Sequence, residues 1–147
     1  MPARRIYREE LETAVADENV CEAAHRMRER RVGALIIVDE GRHPVGILTD
    51  RDLALRVLGE KRDAAATRVA DVMTPQPAVV SEDTSIEAAL ALMGTRPRRF
   101  RRLPVIDRDG RLTGVFTVDD ALARIAGQLG SIDRVIRGQT PFIMDGL

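Results

Sequence analysis

Tryptophan is absent from this 147-residue sequence, and aromatic side chains make up only 3% of it. Tyr7, Phe100, Phe116 and Phe142 are too few and too scattered to build the stacking platforms of single-strand nucleic-acid binders. The one cysteine, Cys21, excludes an internal disulfide, and a reducing cytoplasm is the expected compartment. No apolar run reaches the roughly 18–20 residues that cross a bilayer, and Met1 to Tyr7 lacks the apolar core of a secretory signal. The 23 basic and 23 acidic residues cancel, which removes bulk attraction to nucleic acid or a membrane surface. Gly-x-Ser-x-Gly, Walker-type and Gly-x-Gly-x-x-Gly loops are missing as well. His25, expected on a helix surface, and His43, in a turn before Pro44, lack cysteine or acidic partners at zinc-ligand spacing. Cys21 lies near a helix start without a histidine or second cysteine, and is expected to be a small packed residue. No catalytic residue, required cofactor or metal ligand is expected.

What the chain does have is a 44% hydrophobic composition with 31% charge, ordinary for a folded domain, and a repeat. Glu22-Ala23-Ala24 recurs as Glu87-Ala88-Ala89, a shift of 65 residues. Leu35, Asp39, Gly46, Thr49 and Asp52 recur as Leu103, Asp107, Gly114, Thr117 and Asp120, a shift of 68. The change in shift falls near Gly94 to Phe100, where Gly and Pro mark a loop. The chain therefore reads as two copies of one unit of about 60 residues. In each copy a short strand (Thr13-Ala14-Val15, Ala78-Val79-Val80) precedes a helix whose expected N-caps are Asn19 and Thr84, with Glu22 and Glu87 three residues on. Two further strands follow, Ala34 to Val38 with Val45 to Leu48, and Leu103 to Ile106 with Leu112 to Val118. A helix closes each copy, over Asp50 to Leu58 and Asp119 to about Arg137. Between the copies, Val69 to Met73 predicts a short helix. Neither unit alone covers both faces of so small a sheet, so the two are expected to pack together.

The residues with chemical potential are Gly46-Ile47-Leu48-Thr49-Asp50-Arg51-Asp52 and its echo Gly114-Val115-Phe116-Thr117-Val118-Asp119-Asp120. Each is a strand ending in Thr-x-x-Asp as a helix begins. Threonine as N-cap with an acid in the first turn is a good helix start in its own right. The same geometry suits a ligand. Unpaired backbone N–H groups favour an anion, and a carboxylate has only acceptors, matching the paired hydroxyl donors of a ribose. Cap and ligand site are compatible.

With these blocks, with Val32-Gly33-Ala34-Leu35-Ile36-Ile37-Val38-Asp39 and Phe100-Arg101-Arg102-Leu103-Pro104-Val105-Ile106-Asp107, and with Val72-Met73-Thr74-Pro75, the chain resembles a tandem pair of cystathionine-β-synthase (CBS) domains over about residues 6 to 137. The resemblance implies a mixed α/β (α+β) fold of two β-α-β-β-α units packed sheet to sheet as a pseudo-twofold pair. The expected boundaries are 6–60, a connector at 61–77, 78–137 with an extended helix, and a tail at 138–147. It also implies two clefts for an adenosyl ligand such as AMP, ADP, ATP, S-adenosylmethionine or NAD. Carried over by motif, Asp52 and Asp120 hold ribose, and Thr49 and Thr117 contact phosphate or ribose. Adenine lies against the strand starts Ala34-Leu35 and Leu103-Pro104, with backbone groups of Val15 or Val80 nearby. The two copies differ, with Arg102-Leu103-Pro104 standing where the first has Ala34-Leu35-Ile36, and Val118 where it has Asp50.

Arg96 to Arg102 carries five arginines in seven residues. It reads as a solvated or acid-paired loop, or as a phosphate funnel, since arginine forks bind phosphate bidentately. On the second reading the segment leads directly into the second cleft, which is expected to be the better anion site. A nucleic-acid patch is a weaker third reading without a basic helix or interleaved aromatics. In the closing helix Ala121, Leu122, Ile125, Leu129, Ile132, Val135 and Ile136 form an apolar stripe, whose later turns are expected to meet a second chain. The function expected is a non-catalytic ligand sensor, a homodimer acting on an unidentified regulated protein. The alternative is a structural or interaction protein with degenerate clefts.

Overall fold

Leu35 and Ile37 pack on one side of their strand while Ile36 and Val38 pack on the other, and that alternation organises the molecule. The computed structural model describes residues 12–94 and 101–139. The first unit comprises β1 (Thr13–Ala14), α1 (Val20–Arg30), β2 (Ala34–Val38), β3 (Pro44–Thr49) and α2 (Asp50–Asp52), which continues as a π-helical segment (Leu53–Leu58). A 3₁₀ turn (Ala64–Ala66), α3 (Val69–Val72) and β4 (Thr74–Pro75) form the connection. The second unit repeats the order as β5 (Val80–Ser81), α4 (Ile86–Gly94), β6 (Arg102–Ile106), β7 (Leu112–Thr117) and α5 (Val118–Gln139). Arg96 to Phe100 and the tail from 140 onward lie outside the described residues.

Each unit builds its own sheet, β1-β2-β3-β4 and β5-β6-β7. The first two strands are parallel, joined across a helix, and the next two form an antiparallel hairpin. On one face Leu35, Ile37 and Leu48 pack with Ala14, Val20, Ala23 and Met27 under α1. In the second unit Leu103, Val105 and Phe116 pack with Val80, Ile86, Ala89 and Met93 under α4. On the other face Ile36, Val38 and Ile47 meet Leu112 and Val115 of the second unit, so the sheets pack against each other. Full burial of each such side chain contributes about 1.5–3 kcal/mol, which is what holds the units together. Leu112 and Val115 share a face despite their odd spacing, because the β6–β7 register shifts at Val105/Ile106 and a bulge changes the side-chain alternation.

Three expectations are corrected. The helices align at a shift of 66, with Val20, Ala23 and Met27 matching Ile86, Ala89 and Met93 in burial. The Glu-Ala-Ala match at 65 is one residue out of register, and two residues enter between Met93 and Leu103. Accordingly Ser85 caps α4, its hydroxyl accepting from the Ala88 N–H at 3.1 Å, while Thr84 accepts from the Ser81 N–H in the preceding turn. Asn19 caps α1 as expected, accepting from the Cys21 N–H at 2.8 Å. Cys21 is exposed rather than packed, since it lies off the 20/23/27 stripe that α1 buries.

The connection folds back on the first unit. Val69 and Val72 enter its core, the Asn19 amide donates to the carbonyls of Ala64, Ala65 and Thr67, and β4 pairs with Gly46 and Ile47 of β3. Among the described residues no helix is long and apolar enough to cross a membrane.

Candidate functional site

Both Thr-x-x-Asp motifs are complete helix caps. Thr49 is extended (φ −111°, ψ 161°); its hydroxyl accepts from the Asp52 N–H at 3.1 Å, and its own N–H donates to Asp52 Oδ2 at 2.9 Å. In the second unit the Thr117 hydroxyl accepts from the Asp120 N–H at 3.1 Å and donates to Asp120 Oδ2 at 2.8 Å. The Thr117 N–H donates to the same oxygen at 3.1 Å. The carboxylates are thereby held in place, and one oxygen of each is committed to its own backbone.

The other Asp52 oxygen, Oδ1, lies 3.8 Å from Arg56 Nε. Arg56 is itself anchored, with Nη1 donating to the carbonyls of Val72 at 2.8 Å and Met73 at 3.2 Å. It projects from the π-helical segment, where Gly59 N–H donates to the Ala54 carbonyl five residues back at 2.8 Å. Such segments recur at functional sites. Arg56 was missed in the sequence, although its place four residues after Asp52 is the signal that finds it.

Thr49 and Asp52 border a cleft of about 710 Å³. Its walls include Ile47 and Leu55, Thr74 and Pro77 of the connection, and the charged residues Asp50, Arg51 and Arg56. Arg101 and Arg102, from the second unit, complete it. The sequence had assigned Arg102 to the cleft of Thr117 and Asp120, its neighbours in the second unit. It does pair with Thr117 across β6 and β7, but its side chain lines the first-unit cleft. Sheet-to-sheet packing is the reason, because it brings the start of β6 over the end of β3. Four arginines (51, 56, 101 and 102) and two aspartates (50 and 52) therefore line one cleft.

The remaining expected site residues fall elsewhere. Leu35 and Leu103 are fully buried in the helix-covered cores, paired across their hairpins with Leu48 and Phe116, and Pro104 is fully buried too. Leu35, expected at this cleft, is not among its lining residues, whereas Leu103 and Pro104 belong to the expected second cleft beside Thr117 and Asp120. Ala34 is half-buried and opposite Thr49. Val15 is exposed, its N–H held by Glu18 Oε2 at 3.0 Å, and Val80 is buried beside Val105. Among the described residues no group of histidine, cysteine and carboxylate side chains has metal-site geometry.

The CBS domain model matches residues 3–59 and 69–127. YlbB of Bacillus subtilis is 40% identical over 112 residues, covering 76% of this chain and 73% of that protein. CBSX2, a CBS-pair protein of Arabidopsis thaliana, superposes with a TM-score of 0.75 at 30% identity over 88% of this chain and 96% of that one. A second structure of CBSX2 is a complex with AMP. The CBS domain pair of MJ0100, in complex with 5′-methylthioadenosine and S-adenosyl-L-methionine, aligns with a TM-score of 0.72 at 25% identity over 85% of this chain and 98% of that one. Among curated relatives that it matches, this chain spans 73% of the length of YlbB but only 59% and 23% of two others. A duplicated unit, two sheets packed face to face and paired Thr-x-x-Asp caps all agree with those matches: the chain belongs to the CBS-domain family, as two CBS domains in tandem.

Proposed function

We propose that the chain is a non-catalytic regulatory module that binds an adenosyl ligand of the AMP, ADP and ATP class between its two units, taken as 6–60 and 78–137 about the connector 61–77. The observation that carries this reading is the first-unit cleft. There a preorganised carboxylate, Asp52, and guanidinium groups from both units line one cavity large enough for a nucleotide. Asp52 supplies acceptors for ribose hydroxyls, and the arginines supply donors for phosphate. A ligand touching both units changes their relative stability only through its different affinity for two arrangements. The AMP complex of CBSX2 and the adenosyl complex of the MJ0100 pair support the ligand class. Asp120 and Thr117 are the corresponding residues of a second site.

Thermal unfolding with millimolar AMP, ATP, NAD and S-adenosylmethionine tests the reading. A ligand at 100 times its dissociation constant adds about 2.7 kcal/mol of stability. Asp52→Asn sharpens the test, because an asparagine Oδ1 still accepts from the Thr49 N–H and keeps the cap, while the charge-assisted contact with ribose is lost. Affinity is expected to fall about tenfold with little change in ligand-free stability. A flat response across the panel favours the second reading, a structural protein in which both motifs serve only as caps, as their complete hydrogen bonding permits.

The assembly we propose is a homodimer through α5. Leu122, Ile125, Leu129, Ile132 and Ile136 follow a 3-4-3-4 spacing and are 45–62% exposed. An apolar seam with that heptad spacing is self-complementary, so a second copy is the partner that fits it.

A further inference from the structure

Resting on the adenosyl-ligand reading, we infer that Arg56 is the positioning residue of the first-unit site. It steadies the Asp52 oxygen that the helix cap leaves over for ribose hydroxyls, and it ties that oxygen to the corner of the connection at Val72 and Met73. Occupancy of the cleft is thereby reported to the segment that leads into the second unit.

One oxygen of Asp52 is committed, because Oδ2 accepts from the Thr49 N–H at 2.9 Å. A ligand therefore has Oδ1 to bind, and the place of Oδ1 depends on what stands behind it. That neighbour is Arg56, whose Nε lies 3.8 Å away. The separation holds an ion pair but is too long for a hydrogen bond, so the guanidinium steadies the oxygen while its lone pairs stay open to hydroxyl donors. The side chains are 15% exposed for Asp52 and 30% for Arg56, and salt screens such a pair less than two fully solvated charges.

The other end of the same guanidinium is anchored. Its Nη1 donates to the carbonyl oxygens of Val72 at 2.8 Å and Met73 at 3.2 Å, groups at the end of α3 of the kind a helix does not satisfy itself. That corner belongs to the cleft as well as to the core. Val72 is buried in the first unit's core, Met73 Sδ stands where a side chain on Gly46 would lie, and Thr74 and Pro77 are walls of the cleft. A movement of Arg56 thus acts on the carboxylate and on a cleft wall together.

The repeat sharpens the assignment. At the shift of 68 the pair recurs as Asp120 and Arg124, on the same four-residue spacing. There the helix is regular α5, from Val118 to Gln139. In the first unit it widens into the π-helical segment Leu53–Leu58, and the widened turn carries the guanidinium that spans from the site to the connection. An arginine that merely caps α3 has no reason to act through Asp52, and a double-mutant cycle separates the two roles.

Calorimetric titration of the full chain with AMP and with ATP, in wild type, Arg56→Gln, Asp52→Asn and the double variant, tests this. Glutamine keeps a donor for the α3 carbonyls and loses the charge behind Asp52. Arg56→Gln is expected to weaken nucleotide binding about tenfold in the wild-type background. In the Asp52→Asn background the further loss is expected to stay within about twofold, since the effect travels through that carboxylate. No loss in the first background, or equal losses in both, overturns the inference. Hydrogen exchange on the wild type gives a second readout that needs no variant. The Met73 N–H donates to the Val69 carbonyl at 2.9 Å, and the Leu112 N–H donates to the Arg42 carbonyl at the other end of β3. Saturating nucleotide is expected to slow exchange at Met73 by about fivefold or more beyond its slowing at Leu112, and equal slowing at both overturns the coupling. Nucleotide binding that needs Asp52 and ignores Arg56 sinks this inference and leaves the adenosyl reading standing. If neither nucleotide binds the wild type, both fall.

Discussion

His43 reaches from the first unit to the second: its Nε2 lies 3.1 Å from the carbonyl oxygen of Asp109. Its Nδ1 lies 3.1 Å from Asp39 Oδ1 in its own turn. Beside it the Leu112 N–H donates to the Arg42 carbonyl at 2.9 Å. The β2–β3 and β6–β7 turns are thus clasped together at the opposite end of β3 from Thr49, roughly 20 Å away along the strand.

His43→Ala removes the side-chain half of that clasp. Urea unfolding is expected to show a loss of about 1 kcal/mol, the net worth of an ordinary hydrogen bond in partly solvated surroundings. Nucleotide affinity should not change, because the cleft is at the other end. An unaltered unfolding midpoint would show that the sheet-to-sheet core alone holds the units in register.

The same turn sets an acid dependence. The Asp39 carboxyl is held below its usual range, first by the backbone N–H of His43, which donates to Oδ1 at 2.8 Å, and then by the His43 ring. A carboxylate whose folded pKa is depressed stabilises the fold above its unfolded pKa, and that stability is lost as pH falls through the folded value. Thermal midpoints followed downward from about pH 5 should therefore drop less steeply in Asp39→Asn than in wild type. Parallel curves would remove Asp39 from the account of acid sensitivity.

The two hairpin turns are copies that solve one backbone problem differently. Arg42 has φ 64° and its counterpart Gly110 has φ 78°. The left-handed region costs a non-glycine residue about 1–2 kcal/mol, so Arg42→Gly is expected to stabilise the protein by about 1 kcal/mol in denaturant titration. Gly110→Ala is expected to destabilise it, since the added Cβ also meets His43 Cδ2 at 3.2 Å. Opposite signs from two chemically opposite changes are the signature, and equal signs would refute it.

Gly46 leads the first Thr-x-x-Asp block for a reason of packing. A Cβ there meets Met73 Sδ at 2.5 Å and the Thr74 carbonyl at 3.2 Å, because β4 lies alongside β3 at this point. Gly46→Ala is expected to cost about 1–3 kcal/mol and to disturb Thr74, a wall of the cleft, so nucleotide affinity should fall with stability.

Much of this was legible in the sequence because it is local or periodic. The 68-residue shift located both hairpins and both caps, and the unbroken apolar run from Ala34 to Val38, bounded by turns, announced a strand. What escaped depends on long-range placement. Whether Thr84 or Ser85 caps α4 turns on which alanine is buried, and Glu87 misled because it matches Glu22 by identity rather than by position. The destination of the Arg102 side chain is set by how the sheets stack, which no spacing within the second unit reveals. β4 is two residues long, Thr74–Pro75, too short to carry a pattern.

The α5 seam yields the sharpest prediction about assembly. Leu129 stands at the middle of the five seam positions and is 62% exposed, with Ile125 and Ile132 on either side. A lone apolar residue on a surface means little, but five in heptad register along one helix remain in water unless something covers them. Full burial of each is worth about 1.5–3 kcal/mol, whereas a glutamate at the centre of the seam would face its own copy across the interface and bring a desolvated charge into it. Leu129→Glu and Ile132→Glu are therefore each expected to convert the proposed dimer into single chains by sedimentation velocity, at unchanged helix content by circular dichroism, because both side chains are already solvated in the single chain. A wild type that sediments as a single chain at micromolar concentration, or a Leu129→Glu variant that stays assembled, would show that α5 is not where the copies meet.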